Sequence, residues 1–104
     1  MAPTNRIYIT EYRDVAHDAA GNPLQCGQEP PVAEQFVAIA GTSAQSAAFN
    51  DATNFVSIYA DSDCHIAFGD DPDATQDLRK MGAGTTMFCG VKPGHKVAVI
   101  NEAT

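Results

Sequence analysis

The 104-residue chain reads as an all-β domain, an antiparallel β-sandwich of jelly-roll kind. Three observations lead there. Short segments rich in β-branched and aromatic residues alternate with period two. Turn-forming residues interrupt them roughly every eight to twelve positions, the spacing of sandwiches and small barrels. No stretch carries the apolar repeat of an amphipathic helix.

Arg6-Ile7-Tyr8-Ile9-Thr10-Glu11-Tyr12 is the first strand, with Ile7 and Ile9 on one face. From Arg13 to Gln35 the pattern dissolves into Ala-Gly-Asn-Pro, Cys-Gly-Gln and Glu-Pro-Pro, breakers that remove ladder donors and favour turns. The reading here is an extended loop or arm over residues 13–35. Long loops in compact domains are usually functional, so this one is a candidate contact segment. Phe36–Ala40 follows as a strand ended by Gly41-Thr42-Ser43, and Ala44–Phe49 reads as another before Asn50-Asp51.

Phe55–Ala60 and Cys64–Gly69 flank the polar turn Asp61-Ser62-Asp63 and are expected to pair as a hairpin. Val56, Ile58 and Ala60 share one face, and Cys64, Ile66 and Phe68 another. Beyond the polar turn Asp70–Asp77, Leu78–Met81 is a short edge piece ahead of Gly82-Ala83-Gly84. A second hairpin is expected from Thr85–Val91 and His95–Ile100 about Lys92-Pro93-Gly94, where Pro suits turn position i+1 and Gly supplies a positive φ at i+2. About seven strands result, in a single domain spanning residues 1–104.

Composition narrows the function. Six Lys and Arg against thirteen Asp and Glu give a net charge of −7, which disfavours nucleic acid, because phosphate binding needs clustered basic residues. No apolar run is long enough to span a bilayer as a helix, and the first residues lack the apolar stretch of a secretory signal, so a cytosolic origin is expected. Three cysteines without C-x-x-C spacing fit neither a disulfide framework nor a zinc ribbon. Cys64 and Cys89 read as reduced core filling, whereas Cys26, in the arm, stays unassigned.

Asp61, Asp63, Asp70, Asp71, Asp73 and Asp77 fall in a stretch with no basic residue among them, yet lack the Gly and bidentate Glu of an EF-hand in register. Solvated turn carboxylates are the simpler reading. His65 and His95 lie on expected strands and His17 in the arm, but neither H-x-H nor H-x-x-x-H occurs, and His65 is expected at the surface, on the face opposite Ile66. Ser43, Ser46, Ser57 and Ser62 lack a G-x-S-x-G context, Cys64 and His65 point to opposite sides of their strand, and Gly82-Ala83-Gly84 is too short for a dinucleotide fingerprint. The expectation is a chain with no catalytic, metal or cofactor residues, and not an enzyme.

Glu29–Gln35, Ala44–Phe49, Cys64-His65-Ile66-Ala67-Phe68-Gly69 and Val91-Lys92-Pro93-Gly94-His95-Lys96-Val97-Ala98-Val99-Ile100 together resemble small virion proteins of tailed bacteriophages. The likeness covers about the last three-quarters of the chain. It implies a β-sandwich structural subunit on the capsid exterior, assembled in the host cytoplasm: a decoration or cement protein that binds the major capsid protein and stabilises the head. A homo-oligomer, dimer or trimer, goes with it. Head-to-tail joining or tail completion stays open within that reading. Outside it stand a carbohydrate- or receptor-binding module using Tyr12, Tyr59 and the acidic loop, and a cupin-like metalloenzyme.

Overall fold

The computed structural model describes residues 5–102. Ten strands run through them: β1 (Arg6–Tyr12), β2 (Val15–His17), β3 (Pro23–Gly27), β4 (Ala33–Ala38), β5 (Ala44–Gln45), β6 (Phe55–Ala60), β7 (Cys64–Gly69), β8 (Lys80–Met81), β9 (Thr86–Gly90) and β10 (Lys96–Asn101). Eight form two antiparallel sheets, ordered β4-β1-β6-β9 and β5-β10-β7-β8, while β2 and β3 make a separate two-stranded ribbon. The all-β sandwich expected from the sequence is the fold observed.

Its core lies between the two sheets. Ile7, Ile9, Val37, Val56, Ile58 and Ala60 of the first sheet meet Cys64, Ile66, Met81, Val97 and Val99 of the second, with Phe49 closing one end. Alternation explains the selection, since every second side chain on each strand turns inward. On the outer face of the second sheet Ala98 and Ile100 bury a smaller cluster with Ala74. The acidic segment supplies that cover: Ser43 Oγ accepts from the Ala74 N–H, and Gln45 Nε2 donates to Asp71 Oδ1 and the Pro72 carbonyl.

Both expected hairpins are overturned. β6 pairs with β1 and β9, and β7 with β10 and β8, so the Asp61-Ser62-Asp63 turn carries the chain from one sheet to the other. β9 and β10 likewise belong to opposite sheets. The apolar stripes on β6 and β7 are therefore not joined side by side but face one another across the core. Lys92-Pro93-Gly94 does make the expected turn, with the His95 N–H bonded to the Lys92 carbonyl at 3.1 Å and Gly94 at φ +83°.

From β4 onward every connection crosses between sheets except β7 to β8. This is jelly-roll wrapping. β1 fills the slot between β4 and β6 that a last strand following β10 would take, so the chain is a jelly roll with that strand moved to the front. Asn5 and Glu102 line one hollow, which places the start of β1 beside the end of β10.

Residues 13–35 are not the structureless arm expected. β2 and β3 pair with a register shift between Val15 and His17, and residues 33–35 already belong to β4. Asp18 builds the ribbon's tip: its carboxylate accepts from the Ala20 and Asn22 N–H groups, and Gly21 takes φ +87°. The Asn22 N–H above all holds the Asp18 carboxyl below the usual carboxylate range. Of Ala44–Phe49, expected as a strand, only Ala44–Gln45 pairs; from Ser46 onward the segment is irregular, with the Ser46 N–H and hydroxyl both bonded to Val97 backbone.

Candidate functional site

On β1 the even-numbered side chains point away from the core, and with their neighbours they set out rows across the outer face of the first sheet. Cross-strand register puts Phe36, Tyr8, Tyr59 and Thr86 in one row and Glu34, Thr10, Ser57 and Phe88 in the next. A third row begins with Tyr12 and Phe55. Six of the eight aromatic residues thus stand on this one face, and Phe49 and Phe68 alone lie elsewhere. Four stay open to solvent: Tyr8 is 38% exposed, Phe36 55%, Tyr59 40% and Phe88 56%.

The ribbon covers the third row. Tyr12 stacks on Phe55 with ring centroids 5.2 Å apart and donates its hydroxyl to Glu29 Oε2 at 2.8 Å. Burial, helped by the Glu29 carboxylate, pushes the Tyr12 phenol up to about 12. Gly27 lies directly against the Tyr12 ring, where a Cβ would collide with it. Beside this contact the ribbon leaves a hollow of about 430 Å³ lined by Val15, Cys26, Phe55 and Phe88. A smaller hollow, about 180 Å³, opens on the same face among Tyr8, Thr10, Glu34 and Phe36. Arg6 is fixed over Phe36, its guanidinium carbon 4.1 Å from the ring centroid.

His65 departs from expectation: it is buried, at 5% exposure. Its Nδ1 lies 2.9 Å from the Leu78 carbonyl oxygen and its Nε2 2.9 Å from Glu102 Oε1, while Lys80 pairs with the other carboxylate oxygen. Leu78, before β8, and Glu102, just after β10, hold the ring, long-range contacts that strand alternation cannot reveal. Two acceptors facing the two ring nitrogens favour the imidazolium, and the Glu102 carboxylate is the main reason the His65 pKa is raised. Lys80 first, then His65, holds Glu102 down to about 2. Both ring nitrogens are engaged in this arrangement.

The other candidates stay apart. His95 and Lys92 border a hollow of about 400 Å³ at one end of the sandwich with Phe49, Asn54 and Phe68. His17 ends β2 on the ribbon. Cys64 is fully buried, and its thiol is pushed up to about 11 by that burial; Cys89 packs against the same core, and both are unbridged, as expected. Ser43 and Ser46 cap backbone groups, Ser62 donates to Asn5, and Ser57 lies on the outer face. Among the described residues no three His, Cys, Asp or Glu side chains converge as a metal site would require.

Glu11 is a buried polar residue that strand patterning did not single out. It is 2% exposed and turned inward at the end of the sandwich, where Oε1 accepts from the Asn50 N–H and the Thr53 hydroxyl and Oε2 from Gln35 Nε2. A Glu on the apolar face of a strand was the available signal. Its role is to tie the loop before β6 to β1 and β4. No known family, curated protein or solved structure matches the chain.

Proposed function

We propose that the chain is an assembly subunit of a tailed-phage virion: a decoration or cement protein that sits on the capsid exterior and braces the major capsid protein. The ribbon is the observation that carries the reading. The molecule measures 49 × 30 × 24 Å, and the ribbon is a separate two-stranded sheet anchored on the sandwich by Tyr12, Phe55, Gly27 and Glu29. A rigid body with an anchored lever can engage two neighbouring shell subunits at once, and joining two weak contacts on one scaffold raises avidity without new chemistry. Jelly rolls recur in viral capsid proteins, although fold alone does not assign a role. The likeness of the C-H-I-A-F-G and K-P-G segments to phage virion proteins supports the same reading.

Replacing residues 14–28 with a short Gly-Ser linker tests it. The shortened chain is expected to fold but to lose its place on shells in a co-sedimentation assay with assembled particles. Unchanged occupancy would remove the ribbon from the proposal. Counting copies per particle separates decoration, with hundreds, from a neck or tail-completion role, with six or twelve.

A further inference from the structure

We infer that the outer face of the first sheet is a binding platform for a neutral oligosaccharide. The inference is independent of the shell reading, because it uses the sheet face and not the ribbon's projecting tip. Pyranose rings present apolar C–H faces and a rim of hydroxyls, so they bind where flat aromatic rings alternate with small hydrogen-bonding groups. The face has that alternation. Phe36, Tyr8 and Tyr59 lie side by side on adjacent strands, a run of about 10 Å at the ~4.8 Å spacing of paired strands, room for two or three sugar rings. The Tyr8 and Tyr59 rings are 6.3 Å apart and tilted by 38°.

The next row offers the Glu34 carboxylate and the Thr10 and Ser57 hydroxyls, all in register with those rings. Phe88 ends that row, and beyond it the ribbon forms a wall. One hollow opens on each side of the polar row, the first among Tyr8, Thr10, Glu34 and Phe36 and the second among Val15, Cys26, Phe55 and Phe88.

This layout favours a sugar over a protein partner. Protein interfaces concentrate apolar anchors at a dry centre and push polar groups to the rim, whereas here the polar row runs through the middle. Charge selects the ligand class further. The chain carries −7 overall and Glu34 adds a carboxylate to the face, so an anionic glycan would meet net repulsion there, offset only in part by the Arg6 guanidinium over the Phe36 ring. The structure assigns the stacking role to Tyr8, Tyr59 and Phe36, and the orienting role to Thr10, Ser57 and Glu34.

Calorimetric titration of the full chain with neutral hexasaccharides of α- and β-linked glucose, β-linked N-acetylglucosamine and β-linked mannose tests the inference. At least one is expected to bind with a saturable isotherm and to perturb tyrosine emission, which no Trp obscures. Tyr8→Ala and Tyr59→Ala are expected each to weaken that binding about tenfold or more, because exposed aromatic anchors dominate such contacts. Both are surface changes that leave the fold intact by circular dichroism, and Leu78→Ser, on the other sheet's edge, should bind as the parent does. No binding by any of the probes at about 5 mM, where even millimolar affinity shows, would overturn the inference. Binding unaltered in both tyrosine variants would overturn it equally. Loss of particle occupancy in these variants without any glycan binding would make the face a shell contact instead.

Discussion

Glu11 shows how much one buried side chain can organise. Three donors from two separate segments, the Asn50 N–H, the Thr53 hydroxyl and the Gln35 amide, all end on its carboxylate. Glu11→Ala takes the acceptor from the buried Thr53 hydroxyl and the part-buried Asn50 N–H, while Gln35 keeps the Ala47 carbonyl, and each buried donor left unmet costs about 1–3 kcal/mol. The expected loss is about 3 kcal/mol, seen in a thermal melt as a fall on the order of 10–20 °C for a domain of this size. His65 gives a second residue-scale test. Its pKa is raised in the folded state, so its contribution is complete below the ordinary histidine value of 6.5 and is lost as pH climbs through the folded value. Glu102 is lowered from 4.5 to about 2, so its contribution is complete above 4.5 and is lost as pH falls toward 2. Urea midpoints measured against pH should therefore form a plateau between these limits with a falling limb on each side. His65→Gln should flatten the alkaline limb.

At the scale of elements, the strands were legible and their partners were not. Residues 6–12, 55–60 and 64–69 form strands with the boundaries that alternation indicates, and alternation along β10 also sends Val97 and Val99 to the main core and Ala98 and Ile100 to the smaller cluster. Alternation says which face of a strand is apolar; it does not say whether that face meets a neighbour in its own sheet or a strand opposite. Asp61-Ser62-Asp63 suits either connection, and the Asp61 N–H, still bonded to the Arg6 carbonyl, shows the first sheet continuing into the turn before the chain crosses over. The ribbon was missed because both its faces are largely exposed, so no stripe marks it; Asp18 with Gly21 was the readable cue. The outer-face aromatic rows escaped for a related reason, since rows exist only once register is known.

Two expectations belong to this scale. Gly27→Ala drives a methyl into the Tyr12 ring and should cost about 1–3 kcal/mol by loosening the ribbon's anchor, measured by urea denaturation. Amide exchange should be slowest in β1, β6, β7 and β10, the inner strands of the two sheets, and fastest in β2, β3, β5 and β8.

For the whole molecule, the displaced first strand makes a direct prediction. Residues 5 and 102 border the same hollow, so joining them with a short linker and opening the chain between Ala19 and Ala20 should give a permuted protein. Its strands would then follow the conventional jelly-roll order, and its circular dichroism and melting behaviour should match the parent's. Association is the other property of the whole. β9 is an edge strand of five residues with no charge and no proline, lacking the devices that usually blunt an edge. Sedimentation at high micromolar concentration should show a dimer or trimer, and Phe88→Lys should return it to monomer.

Because strands adjacent in sequence end in opposite sheets, almost every pairing must close a long loop before it is rewarded. β1 can meet β4 early, but Tyr12 waits for Phe55, and the second sheet has no centre until β10 is made. Loop closure of this kind puts refolding in the range of milliseconds to seconds. During synthesis β5 would stand unpartnered and β7 would have only the two-residue β8 beside it until β10 left the ribosome, so ribosome-stalled chains lacking residues 96–101 should be readily digested by protease while the finished chain resists.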